Sequence, residues 1–215
     1  MPVKLVIFDF DGTLADTRDR IVFVMQHVMS ELRLPVADAA TCASVIGLPL
    51  KDCFRTIFPT LTDSGAERCA EAYRRYFFAH SQDLVPDMFP NVPETLDALK
   101  QRNIAMAIAS SRTSKSLTGF VHDMHLDEYI GMVVGCEDVA ATKPSPDAVL
   151  HILDHYGVQP ADAVVVGDMP VDIRMGLAAG TFTVGVTYGN STADLLLAAG
   201  ANRLIDNIAD LLTTL

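Results

Sequence analysis

From Asn91 onward the chain alternates short apolar runs with longer amphipathic ones, and this alternation restricts the fold more than any other feature. A helix running to Arg102 leads into the apolar residues 104–109, and a helix over about residues 114–124 leads into residues 132–134. The pattern then repeats, with a helix at 146–156 before 163–166, a helix at 171–179 before 183–186, and a weaker run at 203–205 before the last helix. Runs so short, and rich in Val and Ile, read as strands. Strand and helix in regular succession predict an α/β fold, a doubly wound parallel sheet with helices on both faces. Ligands of such a sheet sit at the carboxyl ends of its strands. Residues 3–8, apolar except for Lys4, predict a further buried strand. Two Ala-Ala-Gly triplets, ending at Gly180 and Gly200, fit helix stops ahead of strands.

Between residues 15 and 100 no strand is evident. Ile21, Met25, Val28 and Leu32 form a helical stripe over residues 17–34 that ends at Pro35. The turn Gly47-Leu48-Pro49 precedes a short helix through Phe58, stopped by Pro59. A third helix, over about 64–80, carries Cys69, Tyr73, Tyr76 and Phe77 at helical spacing. The expected organisation is an all-helical insertion at 17–82 within an α/β core made of 1–16 and 83–215, with Pro86 and Pro90 marking the return. A chain of 215 residues that is 50% hydrophobic can bury a full core and still carry such an insertion.

The net charge of −11 argues against general binding to nucleic acid or to an anionic membrane, both of which require positive surface. Its distribution is uneven: residues 17–82 hold 8 Lys or Arg against 7 Asp or Glu, and the remainder holds 8 against 20. Basic side chains are thus concentrated in the helical segment, where an anionic substrate could use them. Cysteines 42, 53, 69 and 136 lack metal-site spacing and fit reduced residues of a cytoplasmic protein. Asp9 interrupts the first apolar run before it reaches the length of a leader or membrane span.

Polar groups collect where the strands are expected to end. The run Leu5-Val-Ile-Phe-Asp9-Phe-Asp11-Gly12-Thr13-Leu14 sets two carboxylates just past a strand that Gly12 breaks. An Asp- and Gly-rich turn would give similar letters, but paired carboxylates at the mouth of a sheet are costly unless a cation or a reaction uses them. The strand at 104–109 leads into Ser110-Ser111-Arg112, a loop holds Lys143-Pro144-Ser145-Pro146, and the strand before Gly167 delivers Asp168 and then Asp172.

In this order the four groups resemble the motifs of the haloacid dehalogenase superfamily of phosphohydrolases over nearly the whole chain. Asp-Phe-Asp-Gly-Thr-Leu is similar to the first motif, Ser110 to the second, Lys143 to the third, and Gly167-Asp168-Met-Pro-Val-Asp172 to the fourth. The resemblance implies a Rossmann-like core whose helical insertion is a type-one cap. It implies Asp9 as nucleophile and metal ligand and Asp11 as proton carrier, with the backbone carbonyl of Asp11 and the side chain of Asp168 completing a Mg²⁺ site. Hard oxygen ligands suit Mg²⁺, and no His or Cys is at hand for zinc. Gly12, Ser110, Ser111 and Lys143 are then candidates to bind phosphate. Asp172 fits either an acid that orders the metal site or a first-turn helix acid.

Gly47-Leu48-Pro49-Leu50 looks like the cap loop of phosphoglycolate phosphatase-like members. Lys51, Arg55, Arg74 and Arg75 are candidate contacts for a substrate carboxylate or second phosphate, or else solvated helix surface. The expected function is hydrolysis of a small phosphorylated metabolite such as phosphoglycolate. Pyrophosphatase, nucleotide phosphatase and sugar phosphomutase activities stay open, as does a non-catalytic binding protein on the same scaffold.

Overall fold

The structure is a computed structural model that describes residues 3–215. The chain opens with β1 (Leu5–Phe8) and β2 (Ala15–Asp16), followed by α1 (Arg18–Glu31), α2 (Ala39–Ala43), α3 (Leu50–Ile57) and α4 (Asp63–Ala79). It returns through β3 (Asp87–Met88), α5 (Val92–Gln101), β4 (Ala105–Ala109), α6 (Ser114–Asp123), β5 (Met132–Val134) and α7 (Asp147–Tyr156). It closes with β6 (Ala163–Gly167), α8 (Pro170–Ala178), β7 (Phe182–Val186), α9 (Ala193–Ala198), β8 (Arg203–Ile205) and α10 (Leu211–Thr214).

Six strands form one sheet in the order β5-β4-β1-β6-β7-β8, and every neighbouring pair is parallel. β1 lies centrally, with Phe8 opposite Ile108 on one side and Val166 on the other. Its pleat explains why it is apolar without a break. Leu5 and Ile7 pack beside Val149, Ile152 and Met175 on one face, while Val6 and Phe8 join the cluster containing Leu96 and Leu117 on the other. All four side chains are fully buried, and burial of each contributes about 1.5–3 kcal/mol.

The helical segment packs α4 against α1 and α3, and one apolar cluster runs from Phe8 and Phe10 through Met25 to Phe54, Tyr73 and Phe77. The expectation of no strand between residues 15 and 100 is corrected here. β2 and β3 pair antiparallel, Ala15 with Met88 and Asp16 with Asp87, and so tie together the chain's exit into the helices and its return. Two residues are too few for a period-two pattern to show. α2 was also not anticipated, although Asp38 caps it by accepting from the Thr41 N–H at 2.7 Å. No helix among the described residues is long and apolar enough to cross a membrane, and all four cysteines are free thiols.

Candidate active site

The central pairing of β1 with β6 brings the first and fourth motifs together. The Asp9 N–H donates to the Val166 carbonyl at 2.8 Å, extending the ladder one residue past β1 and setting Asp9 beside the end of β6, where Asp168 follows. Asp9, Asp11, Lys143, Asp168 and Asp172 are all buried. Carboxylate oxygens of Asp9, Asp168 and Asp172 lie within 4.8 Å of one another. Space for them is left by glycine. Gly12 has φ +85°, and a Cβ there would lie 2.2 Å from Oδ2 of Asp168. A Cβ on Gly167 would lie 2.3 Å from the Cβ of Asp172.

Lys143 bridges two of these acids, its Nζ donating to Asp9 Oδ1 at 2.5 Å and to Asp172 Oδ1 at 2.7 Å. Asp172 also accepts the Met169 N–H on Oδ2 at 2.9 Å at the start of α8, so the first-turn helix reading holds, and its bond to Lys143 is a contact the sequence did not anticipate. Asp168 accepts from the backbone N–H and side-chain amide of Asn190 at 2.7 and 3.0 Å, and from the Thr13 hydroxyl at 3.4 Å. Asn190 and Thr13 were not anticipated.

Burial, followed by the charges of neighbouring acids, pushes the Asp9 carboxyl well above the ordinary carboxylate range despite Lys143. Burial and then Asp172 push Asp168 up to about 7, against the pull of Asn190. Burial opposes the Lys143 ammonium, but Asp172 and Asp9 outweigh it and raise its pKa. Such a group of hard oxygens, short of positive charge, fits a divalent cation of the Mg²⁺ type, with Asp9 and Asp168 the carboxylates placed to hold it. The linkage has a definite sign. An acid whose pKa is higher folded than unfolded favours folding less as pH rises, here from the ordinary carboxylate range to about 7. Thermal melts in chelator should therefore fall from pH 6 to pH 8, and added Mg²⁺ should raise them more at pH 8. Equal Mg²⁺ responses at the two pH values would contradict this.

Asp11 stands apart from the acidic cluster. Both its oxygens accept from Arg112 Nε, at 2.9 and 2.7 Å, and the guanidinium lies over the rings of Phe77 and Phe120 at 5.4 and 5.0 Å. The sequence offered Arg112 only as the residue after Ser110-Ser111. Ser110 is buried at the end of β4, and its Oγ accepts from the Arg112 N–H at 3.2 Å, leaving its own proton to donate. Two candidate phosphate ligands are engaged otherwise: the Ser111 hydroxyl donates to the Gly47 carbonyl at 2.7 Å, and the Gly12 N–H donates to the Ala15 carbonyl at 2.9 Å. The Ser111 bond joins the core to the loop before α3, which also packs on Met169 through Gly47.

Asp9, Asp11, Ser110 and Arg112 open into a cavity of about 280 Å³ roofed by the helical segment. Of the cap candidates, Gly47, Leu48, Lys51 and Arg74 line it, whereas Arg55 and Arg75 do not. Arg55 pairs with Asp63 at 2.6 Å and Asp52 at 3.3 Å, and Arg75 pairs with Glu31, so both serve the surface of the helical segment.

The profile of the haloacid dehalogenase-like hydrolases matches residues 6–186. A relative named "Probable phosphatase IndB", from Dickeya dadantii, is 33% identical over 96% of this chain and 90% of its own length. A phosphoglycolate phosphatase of Aquifex aeolicus is 28% identical over 87% of this chain and 86% of its own. The crystal structure of a haloacid dehalogenase-like hydrolase from Bacteroides fragilis superimposes with a TM-score of 0.92 at 26% identity, covering 97% of this chain and 99% of that one. A profile match that runs from β1 through the helical insertion to β7 and takes in all four motifs places this chain in the haloacid dehalogenase-like hydrolase family.

Proposed function

We propose that the chain is a Mg²⁺-dependent phosphatase that hydrolyses a small phosphomonoester through an aspartyl-phosphate on Asp9. The observation that carries this reading is the placement of two acids on opposite terms: Asp9 held by Lys143 beside Asp168, and Asp11 held apart by Arg112, both facing one cavity.

When bound, the cation would be held by Asp9, Asp168 and the Asp11 carbonyl and would offset charge on the phosphoryl oxygens. Asp9 attacks phosphorus as the bond to the leaving oxygen breaks, and Asp11 gives that oxygen its proton. Water then attacks the phosphorus of the aspartyl-phosphate, Asp11 takes the water's proton, and phosphate departs with Asp9 restored. Lys143 keeps Asp9 oriented between its two bonds, and the Ser110 hydroxyl can donate to a phosphoryl oxygen. To reach the leaving oxygen, an Asp11 oxygen must release the Arg112 Nε–H, so Arg112 acts as a positioning residue for the acid.

The helical segment 17–82 acts as a cap that keeps water from the reacting groups, with the β2–β3 pair as its hinge and the Ser111–Gly47 bond as a closing contact. Support comes from the family's hydrolase character and from relatives named as phosphatases. Release of phosphate from ethyl phosphate should require Mg²⁺ and stop on addition of chelator. Turnover that is equal with and without the metal would overturn the proposed dependence.

A further inference from the structure

The cavity has two chemically distinct ends. On the core side it is lined by Asp9, Ser110 and Thr142, which suit the transfer of a phosphoryl group. On the cap side its wall is apolar, built from Met25, Ile46, Leu48, Tyr73, Phe77 and Phe78. Cys53 of α3 also lines this wall, and Tyr73 and Phe77 stack with ring centroids 6.3 Å apart. Burial lifts the Tyr73 hydroxyl to about 12, so it stays neutral.

The cations that line the cavity, Lys51, Arg74 and Arg112, already have carboxylates. Lys51 Nζ lies 3.0 Å from Glu67 Oε2, Arg74 lies 3.3 Å from Glu67 Oε1, and Arg112 holds Asp11. A leaving group bearing a carboxylate or a second phosphate would have to share one of them with Glu67 or Asp11 and lie close to that acid's negative charge. An uncharged body asks for no such sharing and replaces water against a mostly apolar wall.

From these two observations we infer that the substrate is a phosphomonoester whose leaving group is uncharged, predominantly apolar and about the size of one ring. The cavity of about 280 Å³ stands near the lower end of the roughly 300–1,000 Å³ typical of small-molecule sites, enough for a phosphoryl group and such a body. This inference rests on the phosphatase reading and departs from the phosphoglycolate-type substrate that the cap loop suggested.

The test compares alkyl phosphates of similar intrinsic reactivity in the full chain with Mg²⁺: ethyl phosphate, 2-phenylethyl phosphate and phosphoglycolate, with pyrophosphate alongside. A matched apolar contact discriminates by roughly 10- to 200-fold, so 2-phenylethyl phosphate should exceed ethyl phosphate in kcat/KM by about that range, with phosphoglycolate and pyrophosphate no better than ethyl phosphate. Phe78 is 44% exposed on α4, so Phe78→Ser should fold, and it should cut the phenylethyl-to-ethyl ratio by about tenfold. A preference for phosphoglycolate or pyrophosphate, or a ratio unmoved by Phe78→Ser, would overturn the inference while leaving the phosphatase reading intact. Absence of turnover for every ester would overturn both.

Discussion

Asp9→Asn should abolish phosphate release, lowering kcat by roughly 10⁴-fold or more, as loss of a covalent nucleophile does. The same substitution should not harm the fold. Ionised Asp9 is unfavourable where it sits, because burial and then the neighbouring acids push its pKa up, so a neutral amide of nearly the same shape removes a cost rather than a support. Lys143 keeps its bond to Asp172. In chelator at pH 8 the variant should melt at or above the parent temperature, and its response to Mg²⁺ should shrink because one of the two carboxylates proposed to hold the ion is gone. Phosphate release and melting curves with and without Mg²⁺ read these effects separately. Parent-like turnover would remove Asp9 from the chemistry, and a lowered melting temperature with lost activity would make its role structural.

What the sequence disclosed and what it hid follow from the range over which each signal acts. β1 was legible because a strand buried on both faces is written locally, as a run of apolar residues broken by Asp9 and Gly12. The helices α4, α5 and α7 were placed within a residue or two of their observed ends, since their stripes and stops lie along the chain itself. Spatial order was not written there: that β1 lies between β4 and β6 depends on long-range pairing, which no strand's composition records. The four strand-end groups were legible because each sits at a break between an apolar run and a helix. Their partners were not. Asn190 lies in a Gly-Asn-Ser-Thr stretch that reads as a turn, yet its two N–H groups hold Asp168 from 22 residues away. Arg112 meets Asp11 across a separation of 101 residues, and no local pattern marks that pair. Met25, Tyr73 and Phe77 were read as a packing stripe, which they are, but the same stripe forms the roof of the cavity. In the cap, residue type left Arg55 and Arg75 open between an anion site and solvated helix surface, and geometry gives both to neighbouring acids.

Lys143→Ala should have the second large effect, and it should appear in stability as well as in rate. The lysine's side chain is 4% exposed, and it is the cation that touches both Asp9 and Asp172. Its removal leaves two buried acids facing each other, with Asp168 beside them, a change that costs about 3–5 kcal/mol when one member of a buried pair is deleted. In a chain of this size about 1 kcal/mol moves the melting temperature by roughly 2–4 °C, so a drop of about 10 °C is expected in chelator at pH 8. The drop should be smaller at pH 6. Without the lysine the acids are held neutral more readily, and protonation at lower pH relieves the repulsion that the lysine had offset. Turnover with Mg²⁺ should fall by about a hundredfold or more, because charge on the transferring phosphoryl group loses a fixed positive neighbour and Asp9 loses its restraint. A cavity left by truncation alone would lower the melting temperature equally at both pH values. The pH dependence of the loss therefore separates the charge of Lys143 from its volume, and unchanged kcat in a folded variant would end its assigned part in the reaction.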